Sequence, residues 1–185
     1  MRKFTVRDLT LAAMVAALYA VMSYFGNIFG LTFGPIQFRF AEALTVLPFL
    51  FPATVPGLFL GCVITNLLSP FGPLDVVVGS AATLLAALWT CRMKNRWLAP
   101  LPPVICNGVL VGFTIAWAEA GGFTAAFPTA WAYNGLTVAI GELGACYVLG
   151  LLLMNALPRI PMFRELIPAD RLNRLGGSHG YAQRI

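Results

Sequence analysis

Long apolar runs separated by short connectors, the basic ones recurring on one side only, constrain this chain more than any single motif. Six runs can be drawn, at about 9–25, 38–51, 53–68, 76–93, 98–118 and 129–154. A helical crossing of a hydrocarbon core takes about 20 apolar residues. Composition decides the solvent: 59% of the 185 residues are hydrophobic and 10% charged, against about 45–50% and about 25% in soluble domains. So few charges cannot screen so much apolar surface from water. The sequence predicts an all-α integral membrane protein, a bundle of six transmembrane helices.

The second and third runs are short and parted only by PATVP, residues 52–56. Fourteen residues of α-helix cover about 21 Å, less than the hydrocarbon core of about 30 Å. Such segments either line a cavity within the protein or mark a thinned or tilted region. Arg2, Lys3 and Arg7 precede the first run, Arg92, Lys94 and Arg96 separate the fourth from the fifth, and Arg159, Arg164, Arg171, Arg174 and Arg184 follow the sixth. The positive-inside rule then places both termini in the cytoplasm. The external loops at 26–37, 69–75 and 119–128 carry no Lys or Arg. Residues 1–155 are expected to form the six-helix domain. Residues 156–185 are expected to form a cytoplasmic Arg-rich tail, partly disordered, with a short helix at 169–175.

Several function classes drop out. The net charge of +5 follows membrane topology, which argues against nucleic acid as a partner. Cys62, Cys91, Cys106 and Cys146 lie inside apolar runs with no CxxC, and the single histidine, His179, sits in the Gly-rich end. Neither a disulfide framework nor a metal site is indicated. No GxxxxGK[ST] stretch occurs, so this chain has no phosphate cradle of its own. Arg7 and Asp8 precede the first run without a small-residue cleavage site, so a cleavable signal peptide is not expected.

Against this background the polar residues inside the runs stand out. Arg39 and Glu42, three apart at the outer end of the second run, share a helical face. They form an interfacial ion pair or jointly face a cavity; an ionisable group at the centre of a span costs at least about 2.5 kcal/mol. Asn66 and Asp75 fall at the same depth, as do Glu119 and Asn134, while Asn107 and Glu142 lie deeper. Asn134 and Glu142 are about 80° apart on a wheel, within one broad face. The bland alternatives are loop ends or helix caps for Asp75 and Glu119, and interhelical hydrogen bonds for Asn66 and Asn107. Glu142 is the hardest to explain blandly. The outer aromatics Tyr24, Phe25, Phe33, Phe38, Trp131 and Tyr133 are an interfacial belt or lids over a ligand.

Small residues repeat at helical spacing. Ala12, Ala16 and Ala20 stand four apart in LAAMVAALYA, with Ala13 and Ala17 alongside. Gly57–Gly61, Gly79–Thr83, Gly108–Gly112 and Gly141–Ala145 repeat the pattern. Such rows let helices approach closely. On spacing alone the Ala12 row packs internally or meets a separate protein.

The stretches FGPIQFRFAEALTVLPFLFPATVPGLFLGC and NLLSPFGPLDVVVGSAATLLAA resemble the QueT family, over about residues 8–154. Members of that family are substrate-binding S components of energy-coupling factor (ECF) transporters, assigned to queuosine precursors. The resemblance implies a multi-pass protein of the prokaryotic plasma membrane that captures its substrate but cannot energise uptake alone. Its partners would be a transmembrane coupling subunit and two cytoplasmic ATPases, which use the ATP; this chain itself would bind no cofactor. Ala12, Ala16 and Ala20 fit the AxxxA pattern that meets the coupling subunit in such proteins. The implied ligand is a deazaguanine base. A carboxylate can accept its adjacent N–H donors, with Glu142 or Glu42 as the candidate. Arg39, Asn66 and Asn134 would complete the ring, with Asn107 near by. Asp75 would meet an exocyclic cation.

A self-sufficient ion-coupled transporter is the alternative, with Glu42 and Glu142 carrying protons. An intramembrane enzyme has no HExxH or GxSxG stretch to support it. A purely structural bundle would bind no base at all.

Overall fold

Helix α1 begins at a reciprocal cap. The Thr5 hydroxyl accepts from the Asp8 backbone N–H at 3.3 Å and the Asp8 carboxylate accepts from the Thr5 N–H at 3.0 Å, satisfying donors that a helix start otherwise leaves bare. The computed structural model describes residues 5–30, 32 and 38–175. Arg2, Lys3, Phe33, Gln37, His179, Arg184 and the expected disorder at the end of the tail lie outside these. Helix α1 spans Val6–Ile28, α2 Val55–Asn66, α3 Pro73–Arg92, α4 Leu101–Ala120 and α5 Phe127–Leu143. A π-helical turn, Gly144–Gly150, carries α5 straight into α6, Leu151–Ala156; α7, Pro161–Arg164, and α8, Ala169–Leu175, follow. No strand occurs among the described residues.

Helices α1, α3 and α4 and the continuous rod Phe127–Arg159 are long and apolar enough to cross a membrane. The six runs read from the sequence therefore resolve into four such helices and two shorter segments. The third run is a 3-10 turn, Pro52–Thr54, leading into α2, and the second is a 3-10 helix, Phe40–Phe49. Outward faces carry Leu18, Ile64, Val77, Leu85, Leu136 and Ile140, a surface suited to lipid.

Ten residues is long for a 3-10 helix, whose runs seldom exceed about four. Two local features favour it here. Pro48 has no N–H to close an α-helical bond, and the Thr45 hydroxyl donates to the Glu42 carbonyl at 2.6 Å. Every residue from Ala41 to Phe49 is buried, between α1, α3 and the π turn. The slimmer winding fits a crowded centre.

Glycine rows set the helix pairings. A Cβ on Gly57 would lie 2.2 Å from the Ala12 carbonyl oxygen, and one on Gly61 2.9 Å from that of Ala16. The Ala12–Ala16–Ala20 row is thus buried inside the bundle, with Ala12 and Ala16 against α2. This is the internal packing that spacing alone left open. Ala13 and Ala17 are the alanines of α1 that face outward. Gly108 and Gly112 of α4 meet Gly135 of α5 in the same way.

The C-terminal segment folds back on the bundle. Ile167 and Leu175 join the buried core. Arg171 donates to the carbonyls of Phe49 at 3.2 Å and Cys91 at 2.6 Å, and Arg174 to that of Met93 at 3.2 Å. Two helix C-termini, those of the 3-10 helix and α3, thereby receive cations where their carbonyls point outward.

Candidate ligand-binding site

The 3-10 helix and helices α1 to α5 bring the site together around the N-terminal end of the 3-10 helix. Arg39 is the N-cap of that helix and Glu42 lies in its first turn, which sets the two side by side at its start. Gly72, at φ +69°, and Pro73 turn the chain into α3. That sets Asp75 in the first turn, where the helix dipole favours an anion. Gly79, one turn on, leaves room: a Cβ there would lie 2.7 Å from Asp75 Oδ1 and 2.9 Å from Asn66 Nδ2.

Arg39 is 3% exposed and Asp75 fully buried, and Nη2 of the first lies 3.8 Å from Oδ2 of the second. Arg39 also donates to the Thr32 carbonyl at 3.3 Å and to Asn66 Oδ1 at 3.5 Å. The Asn66 amide donates to the Asp75 carbonyl at 3.1 Å and to Ser80 Oγ at 3.5 Å, and Thr114 of α4 donates to Asp75 Oδ1 at 3.5 Å. Neither the interfacial reading of Arg39 nor the solvated-end reading of Asp75 fits such burial.

Glu42 is fully buried and its Oε1 accepts from the Tyr19 hydroxyl. Beside it, Asn107 donates to Glu142 Oε1 at 2.8 Å, and Cys146 Sγ lies 3.4 Å from both Glu142 Oε2 and the Glu42 carbonyl. The π turn starting two residues past Glu142 brings Cys146 inward, and such turns recur at functional sites. Phe38 packs its ring edge over Gly144, two residues past Glu142.

Arg39, Glu42, Asn66, Asp75, Asn107 and Glu142 thus converge. Asn134 does not: its amide donates to Glu119 Oε2 at 2.7 Å and to the Ala130 carbonyl at 3.0 Å. Trp131 stacks in a cluster with Phe113, Trp117, Phe123 and Phe127, and Tyr24 donates to the Ile64 carbonyl; both are structural there. Tyr19, Thr32, Ser80, Thr114 and Cys146 are additional members. Tyr19 carried a readable signal, a phenol in mid-span whose hydroxyl has to find a partner.

Buried polar groups are nearly always hydrogen-bonded. Here Glu42 Oε2 and Asn107 Oδ1 are buried without such a bond, as are Asp75 Oδ2, which faces the Arg39 cation, and Ser23 Oγ one turn from Tyr19. The site therefore holds unspent acceptors, and its chemistry suits a ligand rich in N–H donors.

A family model described as QueT transporter matches residues 9–159. The chain is also similar to the Queuosine precursor transporter QueT of Lactococcus lactis subsp. cremoris (strain MG1363), at 36% identity over 85 residues, 46% of this chain and 50% of that protein. The match thus spans about half the length of this curated relative. No solved structure matches the chain.

Proposed function

The chain belongs to the QueT transporter family, and from that premise we propose that it is the substrate-capture component of an ECF-type importer. It binds a queuosine precursor, a deazaguanine base, from outside and passes it to an ATP-driven coupling module. Six membrane segments with both termini inside, two of them short, complete the reading. The observation that carries it is the pair of buried acceptors without hydrogen bonds, Glu42 Oε2 and Asn107 Oδ1. A deazaguanine presents a ring N–H, an exocyclic amine and a pyrrole N–H, the donors such acceptors require. Arg39, Asn66, Asp75 and Glu142 form the rest of the polar wall.

Coupling would use the outward face of α1, where Ala13 and Ala17 stand four apart. Small residues there allow close approach of a partner helix. Titration calorimetry of the detergent-solubilised chain with aminomethyl-deazaguanine, queuine and guanine is the first test. Submicromolar affinity, more than about 8.2 kcal/mol, is expected for the best of them; no heat with any base would discard the reading. Ala17→Trp is expected to keep that affinity while abolishing uptake in cells that supply the coupling module. Uptake by the purified chain alone in vesicles with a proton gradient would favour an ion-coupled transporter instead.

A further inference from the structure

We propose that the donor edge of the base is read by two acceptors on separate elements, Glu42 Oε2 of the 3-10 helix and Asn107 Oδ1 of α4, with Tyr19 of α1 as the positioning residue. The inference rests on the deazaguanine reading above and gives it a binding mode.

A carboxylate can take two adjacent N–H donors by itself only when both of its oxygens are available. Neither acid at the centre of this site has that freedom. Glu142 spends Oε1 on the Asn107 amide at 2.8 Å and has Cys146 Sγ 3.4 Å from Oε2. Glu42 spends Oε1 on the Tyr19 hydroxyl. The third acid, Asp75, has Thr114 Oγ1 3.5 Å from Oδ1 and Arg39 3.8 Å from Oδ2. Asp75 Oδ2 also lacks a hydrogen bond but faces the Arg39 cation; what remains is one oxygen of Glu42 and one of Asn107, each buried without a hydrogen bond, on residues 0% and 2% exposed. The Asn107 amide lies near the Glu42 carboxylate and donates to that of Glu142, so the two side chains are neighbours. Their orientations are fixed by different partners, Glu42 by Tyr19 and Asn107 by Glu142. Tyr19 is in turn immobilised: it is fully buried, and its Cβ lies where a side chain on Gly61 would go.

The ligand class this selects is a planar base with a ring N–H next to an exocyclic amine. An analogue without the amine leaves one acceptor unsatisfied in the complex, which costs more than the lost contact itself. Discrimination against it is therefore strong.

The test titrates the full chain with aminomethyl-deazaguanine and with its analogue lacking the 2-amino group, each against wild type, Glu42→Gln, Asn107→Ser and Tyr19→Phe. In wild type, removing the amine is expected to weaken binding about 10- to 100-fold. In one of Glu42→Gln and Asn107→Ser that loss shrinks to under about 3-fold, because the acceptor that met the amine is gone. In Tyr19→Phe both Glu42 oxygens become available, so adding Asn107→Ser costs less than it does in wild type, a coupling that a merely structural tyrosine would not produce. If no base binds wild type, the capture reading itself fails. If the base binds but the amine counts equally in wild type and both acceptor variants, the two-point edge is overturned. Thermal melts of each variant identify any that does not fold, and Asn107→Asp, which keeps an acceptor at that position, then replaces Asn107→Ser with full discrimination expected.

Discussion

Replacing Arg39 by leucine is expected to cost about 3–5 kcal/mol of stability and to eliminate base binding. Its guanidinium spans three elements, reaching the Thr32 carbonyl, Asn66 on α2 and Asp75 on α3. Removing it strands the Asp75 carboxylate, fully buried, without its counter-charge. A second substitution separates the two effects. Arg39→Leu combined with Asp75→Asn removes both charges, and loss of a whole buried pair is often close to neutral. The double variant is therefore expected to recover most of the melting temperature but none of the binding. Melting of the solubilised protein with and without base reads both. An unchanged melt for the single variant would show that water reaches the pair.

Gly57→Ala is expected to be nearly as damaging despite adding one methyl group. The new Cβ would sit 2.2 Å from the backbone oxygen of Ala12 and 2.9 Å from its carbonyl carbon. A flexible side chain could turn aside, but backbone cannot, so α1 and α2 have to part. Overpacking of this kind costs about 1–3 kcal/mol and sometimes more. The displacement also moves Tyr19, seven residues along the same face, and with it the hydroxyl that holds Glu42. Ile64→Val, on the exposed side of α2, serves as the comparison and is expected to melt like wild type. Equal melting of the two would refute the tight α1–α2 contact.

These contacts also show what the sequence made legible. Arg39, Glu42, Asn66, Asp75, Asn107 and Glu142 could be selected because ionisable and amide groups inside apolar runs demand a reason. Small-residue rows were visible too, but spacing identifies a row without naming its partner, and so Ala12 and Ala16 fell to α2. Asn134 was grouped with Glu142 by wheel angle. A wheel ignores depth, and eight residues of helix separate the two by about 12 Å. The 3-10 winding of Phe40–Phe49 was unreadable for another reason. Arg39, Glu42 and Thr45 stand three apart, a spacing that shares one face of an α-helix as well, so nothing distinguished three residues per turn from 3.6.

That winding has a consequence for how such a chain can change over evolutionary time. Glu42, Thr45 and Pro48 form one row along the 3-10 helix, preceded three residues earlier by its N-cap Arg39 and tied at the other end where the Pro48 carbonyl accepts from Cys91 and Phe49 from Arg171. At about three residues per turn, inserting or deleting one residue rotates everything beyond it by about 120° and turns either the charged end or the anchored end away. Length in this segment is consequently counted in triplets. Descendants of this protein can retune the site by exchanging side chains one at a time, but they can lengthen or shorten its central strut only three residues at once.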